Sequence, residues 1–240
     1  MKKILILSAN PQNTEQLRLD EEVREIQTGL EHSKMRDGFE IITRSALRVD
    51  DLRHILLGCQ PHIVHFSGHG TGDSGVALEN SSGQMQLVST QALAELFRLF
   101  QDKIECVVLN ACYSDVQAEA IHQHIDCVIG MNRAIGDRAA IEFSIGFYDA
   151  LGAGEPYDRA YEFGCNAIDL KGIPEVSTPV LLYRKSSRPI VDRESSERDS
   201  NQEVDREPIS SESKTIVNMT ATGDNNKLIG HIDKIDNFTM

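Results

Sequence analysis

Short apolar runs, each closed by turn-forming residues and separated by amphipathic stretches, recur along the first three quarters of this chain. That alternation leaves few architectures open. Lys3–Ser8, Phe39–Thr43, Ile63–Phe66 and Ile104–Leu109 are rich in Ile, Val and Leu, as strands buried on both faces are. Between the first two, Leu19, Val23, Ile26 and Leu30 recur at three- and four-residue steps among charges, which predicts one apolar stripe on a helix. Similar reasoning predicts helices over Val49–Leu57, Thr90–Phe100 with Ser89 or Thr90 as cap, Val116–His122, Ala139–Leu151 and Tyr157–Leu170. Short strands are expected at Val76–Leu78 and Cys127–Ile129, and a closing strand at Val180–Tyr183. Strands that alternate with helices pair in parallel, with helices covering both faces of the sheet.

Two of these runs end in residues that carry chemistry. His65-Phe66-Ser67-Gly68-His69-Gly70 closes one, and Asn110-Ala111-Cys112-Tyr113-Ser114 follows the other. If the two strands are parallel neighbours, an imidazole and a thiol share the rim where open α/β folds place their sites. A thiol attacks a carbonyl as thiolate, so the nucleophile Cys112 needs a base, His69, within reach of its proton. Gly68 and Gly70 flank that histidine, and their backbone N–H groups are candidate oxyanion donors. Ala111 and the helix expected soon after Cys112 bring small groups and a helix N-terminus to the sulfur.

Other readings of the same residues are weaker. Cys59, Cys106, Cys127 and Cys165 lie in or beside apolar runs and read as inert core thiols. His62, His65 and His69 with Cys112 could hold zinc, but strand periodicity sends His62 and His65 to opposite faces and no CxxC supports the set, so no metal is expected. His65 reads instead as a strand residue packed beneath the site, orienting its neighbour. The glycines from Gly68 to Gly75 lack the Gly-Lys-Ser/Thr of a phosphate loop.

A net charge of −13 disfavours a surface that wraps nucleic acid. Five cysteines, an odd number without CxxC spacing, suit a reducing compartment, and the apolar start Ile4–Leu7 is too short for a secretion signal or membrane span. A cytoplasmic protein is expected, with no nucleic-acid or membrane partner. The compact domain spans 1–185. Over 186–214, eight acids stand against five bases with few aliphatics, which predicts a flexible acidic linker. Residues 215–240 regain β-branched alternation around Asp224-Asn225-Asn226 and read as a short β-prone docking tail.

The blocks Ile63–Gly70 and Cys106–Ser114 resemble the two signature segments of CHAT domains, bacterial relatives of caspases and separases. Ile4–Pro11, Leu19–Ile26, Val128–Asn132 and Phe143–Leu151 match in the same order, so the resemblance covers residues 1 to about 185. It implies a caspase-like three-layer α/β sandwich with a mostly parallel central sheet. It also implies cysteine endopeptidase chemistry without a cofactor, with His69 as base, Cys112 as nucleophile and a protein substrate. Many non-caspase peptidases of this type favour a basic residue before the cut, and Asp115 and Asp137 are candidates for an acidic pocket that would hold one. Arg188, Arg193, Arg198 and Arg206 in the linker are then possible self-processing points. Small CHAT proteins resemble effectors switched on by a sensor or scaffold in bacterial defence, which gives the tail a recruiting role. The alternative is a catalytically silent module that holds a peptide without cutting it.

Overall fold

The computed structural model describes residues 1–184, so the linker and tail expected over 186–214 and 215–240 lie outside the described residues. Eight strands and six α-helices follow one another: β1 (Lys2–Ser8), α1 (Leu19–Glu31), β2 (Phe39–Arg44), α2 (Val49–Cys59), β3 (Ile63–Ser67), β4 (Val76–Glu79), β5 (Met85–Val88), α3 (Thr90–Arg98), β6 (Cys106–Asn110), α4 (Asp115–His122), β7 (Cys127–Met131), α5 (Asp137–Ala153), α6 (Tyr157–Leu170) and β8 (Pro179–Tyr183). Six of the strands form one sheet in the order β2-β1-β3-β6-β7-β8, and β4 and β5 make a separate hairpin.

Alternation along each strand divides the core into two halves. Leu5, Leu7, Val64, Phe66, Val107, Leu109 and Val128 point to one face, where Leu52 and Leu56 of α2, Leu93 and Phe97 of α3, and Ile121 of α4 cover them. Ile4, Ile6, Ile63, Val108 and Ile129 point to the other, under Ile26 and Leu30 of α1, Phe143 and Phe147 of α5, and Ala160 and Ile168 of α6. Helices therefore lie on both sides of the sheet. Each fully buried aliphatic contributes on the order of 1.5–3 kcal/mol, which is why β1 tolerates no charge between Ile4 and Leu7.

Local signals set the ends of elements. Ser89 caps α3, its Oγ accepting from the Ala92 N–H at 3.3 Å. α5 stops at Gly154, whose φ of 96° is left-handed backbone that favours glycine.

The structure departs from the sequence reading in two elements. β5 was not expected, because Met85, Gln86 and Leu87 are all exposed and show no buried alternation. β8 runs antiparallel to β7, pairing Cys127 with Tyr183 and Met131 with Pro179. Two consecutive helices, α5 and α6, separate these strands, so the chain makes one extra pass and returns reversed. All other neighbours in the large sheet are parallel. No helix of the described residues is long and apolar enough to cross a membrane.

Candidate active site

β3 and β6 are hydrogen-bonded parallel neighbours in the register Ile63 to Cys106 through Ser67 to Asn110. Their outgoing ends bring His69 and Cys112 to one small cavity, about 40 Å³ in volume, which Leu17, Glu22, Gly68, Asn110, Ile135 and Asp137 also line. The two loops touch directly. A side chain at Gly70 would place its Cβ 2.1 Å from the Cys112 carbonyl oxygen, so only glycine lets this backbone lie against the Cys112 loop.

The histidine is held by an unexpected partner. Its Nε2 lies 2.8 Å from the Glu15 carbonyl oxygen in the segment between β1 and α1. A carbonyl can only accept, so Nε2 carries a proton and, in the neutral ring, Nδ1 is left as the acceptor. The Cys112 Sγ is half-buried and donates to the Ile135 carbonyl at 3.7 Å. Tyr113, next in the chain, has a left-handed φ of 54°, and its N–H donates to the Arg133 carbonyl at 3.2 Å. Backbone of this kind costs an L-residue roughly 1–2 kcal/mol, and sharp reversals of this sort collect at functional sites.

The candidate donors divide. The Gly68 N–H donates to the Asn110 carbonyl at 3.3 Å, so it ties the loops together and is not free for an oxyanion. Gly70 contributes the close approach just described. The two candidate pocket acids also separate. Asp137 lines the cavity, and its Oδ2 accepts from the Arg18 N–H at 3.2 Å. Asp115 opens α4 and is not among the cavity residues.

Under the cavity lies a buried polar cluster that composition did not reveal. Glu22, 2% exposed, accepts on Oε1 from Ser144 Oγ at 2.6 Å, Asn110 Nδ2 at 2.6 Å and His65 Nε2 at 3.1 Å, and on Oε2 from Ser67 Oγ at 2.6 Å. His65 also meets the Tyr148 hydroxyl through Nδ1 at 3.1 Å. Burial alone would push the Glu22 carboxyl up, but His65, Ser144 and Ser67 outweigh it and hold the group below the ordinary carboxylate range. In the sequence, Glu22 stands in Asp20-Glu21-Glu22, which looks like the solvated first turn of a helix.

The remaining thiols differ in setting. Cys106 and Cys127 are buried 3.4 Å apart, sulfur to sulfur, and burial pushes the Cys106 thiol well up. Burial also pushes Cys165 up, and Cys59 is half-buried. His62 accepts from the Lys3 N–H through Nδ1 at 3.0 Å, away from His69.

Comparison with known proteins identifies the family and the fold. The chain is 27% identical over 180 residues, 72% of its length, to a Roc-COR-CHAT protease from an unknown prokaryotic organism. It is 25% identical over 163 residues, 67% of its length, to a probable protease of Gillisia limnaea. The matches span 17% and 29% of those two relatives, so this chain corresponds to a minor part of each. Among solved structures it resembles a secreted C11 cysteine protease of Bacteroides thetaiotaomicron, described in complex with an irreversible peptide inhibitor. The TM-score is 0.53 at 14% identity, covering 71% of this chain and 59% of that one, a likeness that establishes a shared caspase-like fold. Residues 2–162, which include both strand ends and every group of the cavity, match the CHAT domain, and the chain belongs to that family.

Proposed function

We propose that this CHAT domain is a cysteine endopeptidase in which Cys112 attacks and His69 moves the proton. The observation that carries the reading is the shared cavity: two neighbouring parallel strands deliver to one place a half-buried thiol and an imidazole whose Nδ1 is the acceptor in the neutral ring. In the first step the sulfur bonds to the scissile carbonyl carbon and its proton passes to His69. Collapse of the tetrahedral adduct breaks the C–N bond, and His69 returns the proton to the departing amine. Water then hydrolyses the thioester, and the thiol is regenerated.

Asp137 is the acid we assign to recognition of a basic residue before the cut, since it lines the cavity beside Cys112. The cavity, about 40 Å³, is small beside a lysine or arginine side chain. We infer an effector that a sensor or scaffold switches on, with residues 215–240 as the recruiting segment and bacterial defence as the setting.

An electrophilic peptide probe bearing a basic residue tests the proposal when labelling is mapped by mass spectrometry. Adduct formation at Cys112 in preference to Cys59, Cys106, Cys127 and Cys165, lost in His69→Ala, is the expected result. Uniform labelling of the accessible thiols, with and without candidate partners, would favour a silent peptide-binding module.

A further inference from the structure

A carboxylate 2% exposed in the middle of a domain needs an explanation, because removing it from water costs several kcal/mol that apolar packing would avoid. Glu22, on α1, is surrounded by donors from three other elements: Ser67 and His65 on β3, Asn110 on β6 and Ser144 on α5. Two of these donors occupy particular places. Ser67 ends β3 and precedes His69 by two residues, and Asn110 ends β6 and precedes Cys112 by two.

We propose that Glu22 is a positioning residue for the dyad, clamping the outgoing ends of both strands so that base and nucleophile leave the sheet in fixed directions. The inference rests on the assignment of Cys112 and His69 made above.

Three links support it. The Asn110 amide turns its nitrogen to Glu22 at 2.6 Å while its oxygen stays buried without a hydrogen-bond partner among the described residues. Leaving a buried amide oxygen unpaired is unfavourable, and of the three acceptors around the amide nitrogen, Glu22 at 2.6 Å, the Ala140 carbonyl at 3.2 Å and Ser144 Oγ at 3.4 Å, the carboxylate is both the nearest and the charged one, so it contributes most to orienting the residue that leads into the Cys112 loop. His65 is bound on both ring nitrogens, to Tyr148 through Nδ1 and to Glu22 and Ser67 through Nε2. Since Ser67 gives its own proton to Glu22, it accepts from His65, and every donor in the cluster runs toward the carboxylate. Finally, α1 carries Glu22 and follows directly from the segment whose Glu15 carbonyl holds the His69 ring. The same side chain therefore braces the strand that bears His69, the strand that bears Cys112, and the helix behind the carbonyl that orients His69.

The test is the second-order rate of alkylation at each thiol of the full chain by iodoacetamide, mapped by mass spectrometry well below the unfolding temperature. Because misplacement of reacting groups by about 1 Å can cost about a hundredfold, Glu22→Gln is expected to slow Cys112 at least about tenfold and leave Cys59 and Cys165 unchanged. Ser144→Ala removes one donor to Glu22, and with it an acceptor 3.4 Å from the Asn110 amide, while changing no residue of either strand, and a smaller slowing at Cys112 alone is expected. In peptide cleavage the loss should fall on kcat with KM retained. A purely structural Glu22 would lower the unfolding temperature but leave the Cys112 rate of the folded protein at the wild-type value. That result overturns the inference. Should Glu22→Gln fail to fold, Ser144→Ala decides alone, and a wild-type Cys112 rate there overturns it equally. A wild-type protein whose Cys112 reacts no faster than Cys59 removes the dyad reading first and this one with it, whereas selectivity kept by wild type and both variants removes only the positioning role.

Discussion

The two ends of β6 each lead to a cysteine, and the two thiols have opposite circumstances. Cys106, at the start of the strand, lies fully buried against Cys127, and burial disfavours its ionisation. Cys112, two residues past the other end, is half-buried among the loop carrying His69, a backbone carbonyl and a reversed residue, Tyr113. The rims differ as well. Beside Cys127 a cleft of about 570 Å³ is lined by His62, Lys103, Glu105 and Tyr157, yet the chemistry we propose lies at the other rim beside a cavity of about 40 Å³. Size marks where the sheet edge is poorly covered. Open α/β folds place their sites at the outgoing ends of parallel strands, where loops from neighbouring strands converge.

Four measurements would break or sharpen this contrast. The largest effect is expected from Cys112→Ala, which should abolish both peptide cleavage and probe adducts with an unfolding temperature close to wild type. Cleavage that survived would move the chemistry elsewhere. Next, Gly70→Ala drives a Cβ against the Cys112 carbonyl and should slow Cys112 labelling by more than tenfold, with a loss of about 1–3 kcal/mol in a denaturant titration. Unchanged labelling would show that the loops need not touch.

Third, the Glu22 carboxyl lies lower in the folded chain than in the unfolded one, so it stabilises the fold at neutral pH. That contribution is lost as pH falls from the unfolded value near 4.3 through the lower folded one, with a slope of up to about 1.4 kcal/mol per pH unit. Urea midpoints between pH 3 and 5 should show this acid arm flattened in Glu22→Gln, and an identical slope would contradict it. The smallest effect belongs to Cys106→Ala, expected to cost about 1–2 kcal/mol by leaving a small void and to leave Cys112 labelling untouched. A change in Cys112 reactivity there would couple the two ends of the strand.

Much of the frame was legible because it depends on burial. Continuous apolar runs such as Ile4–Leu7 and Val107–Leu109 can only be strands covered on both faces, and the ends of the runs at β3 and β6 located His69 and Cys112. What was hidden depends on direction or on the backbone. The sense of β8 follows from the extra pass through α5 and α6, which periodicity does not encode. The Glu15 carbonyl has no side-chain signature, and Glu22 is indistinguishable in sequence from the half-exposed Glu21 before it. His65 was placed beneath the site by its position on β3, but its partners come from α1 and α5, far away in the chain.

The reversal of β8 fixes the rim of the sheet at which the described chain ends. Because that strand descends, Arg184 leaves at the Asp126 end of the sheet, its N–H bonded to the Asp126 carbonyl, far from Cys112. The described chain is therefore handed on at the rim opposite the His69 and Cys112 loops, beside the cleft that Arg184 lines with His62 and Tyr157.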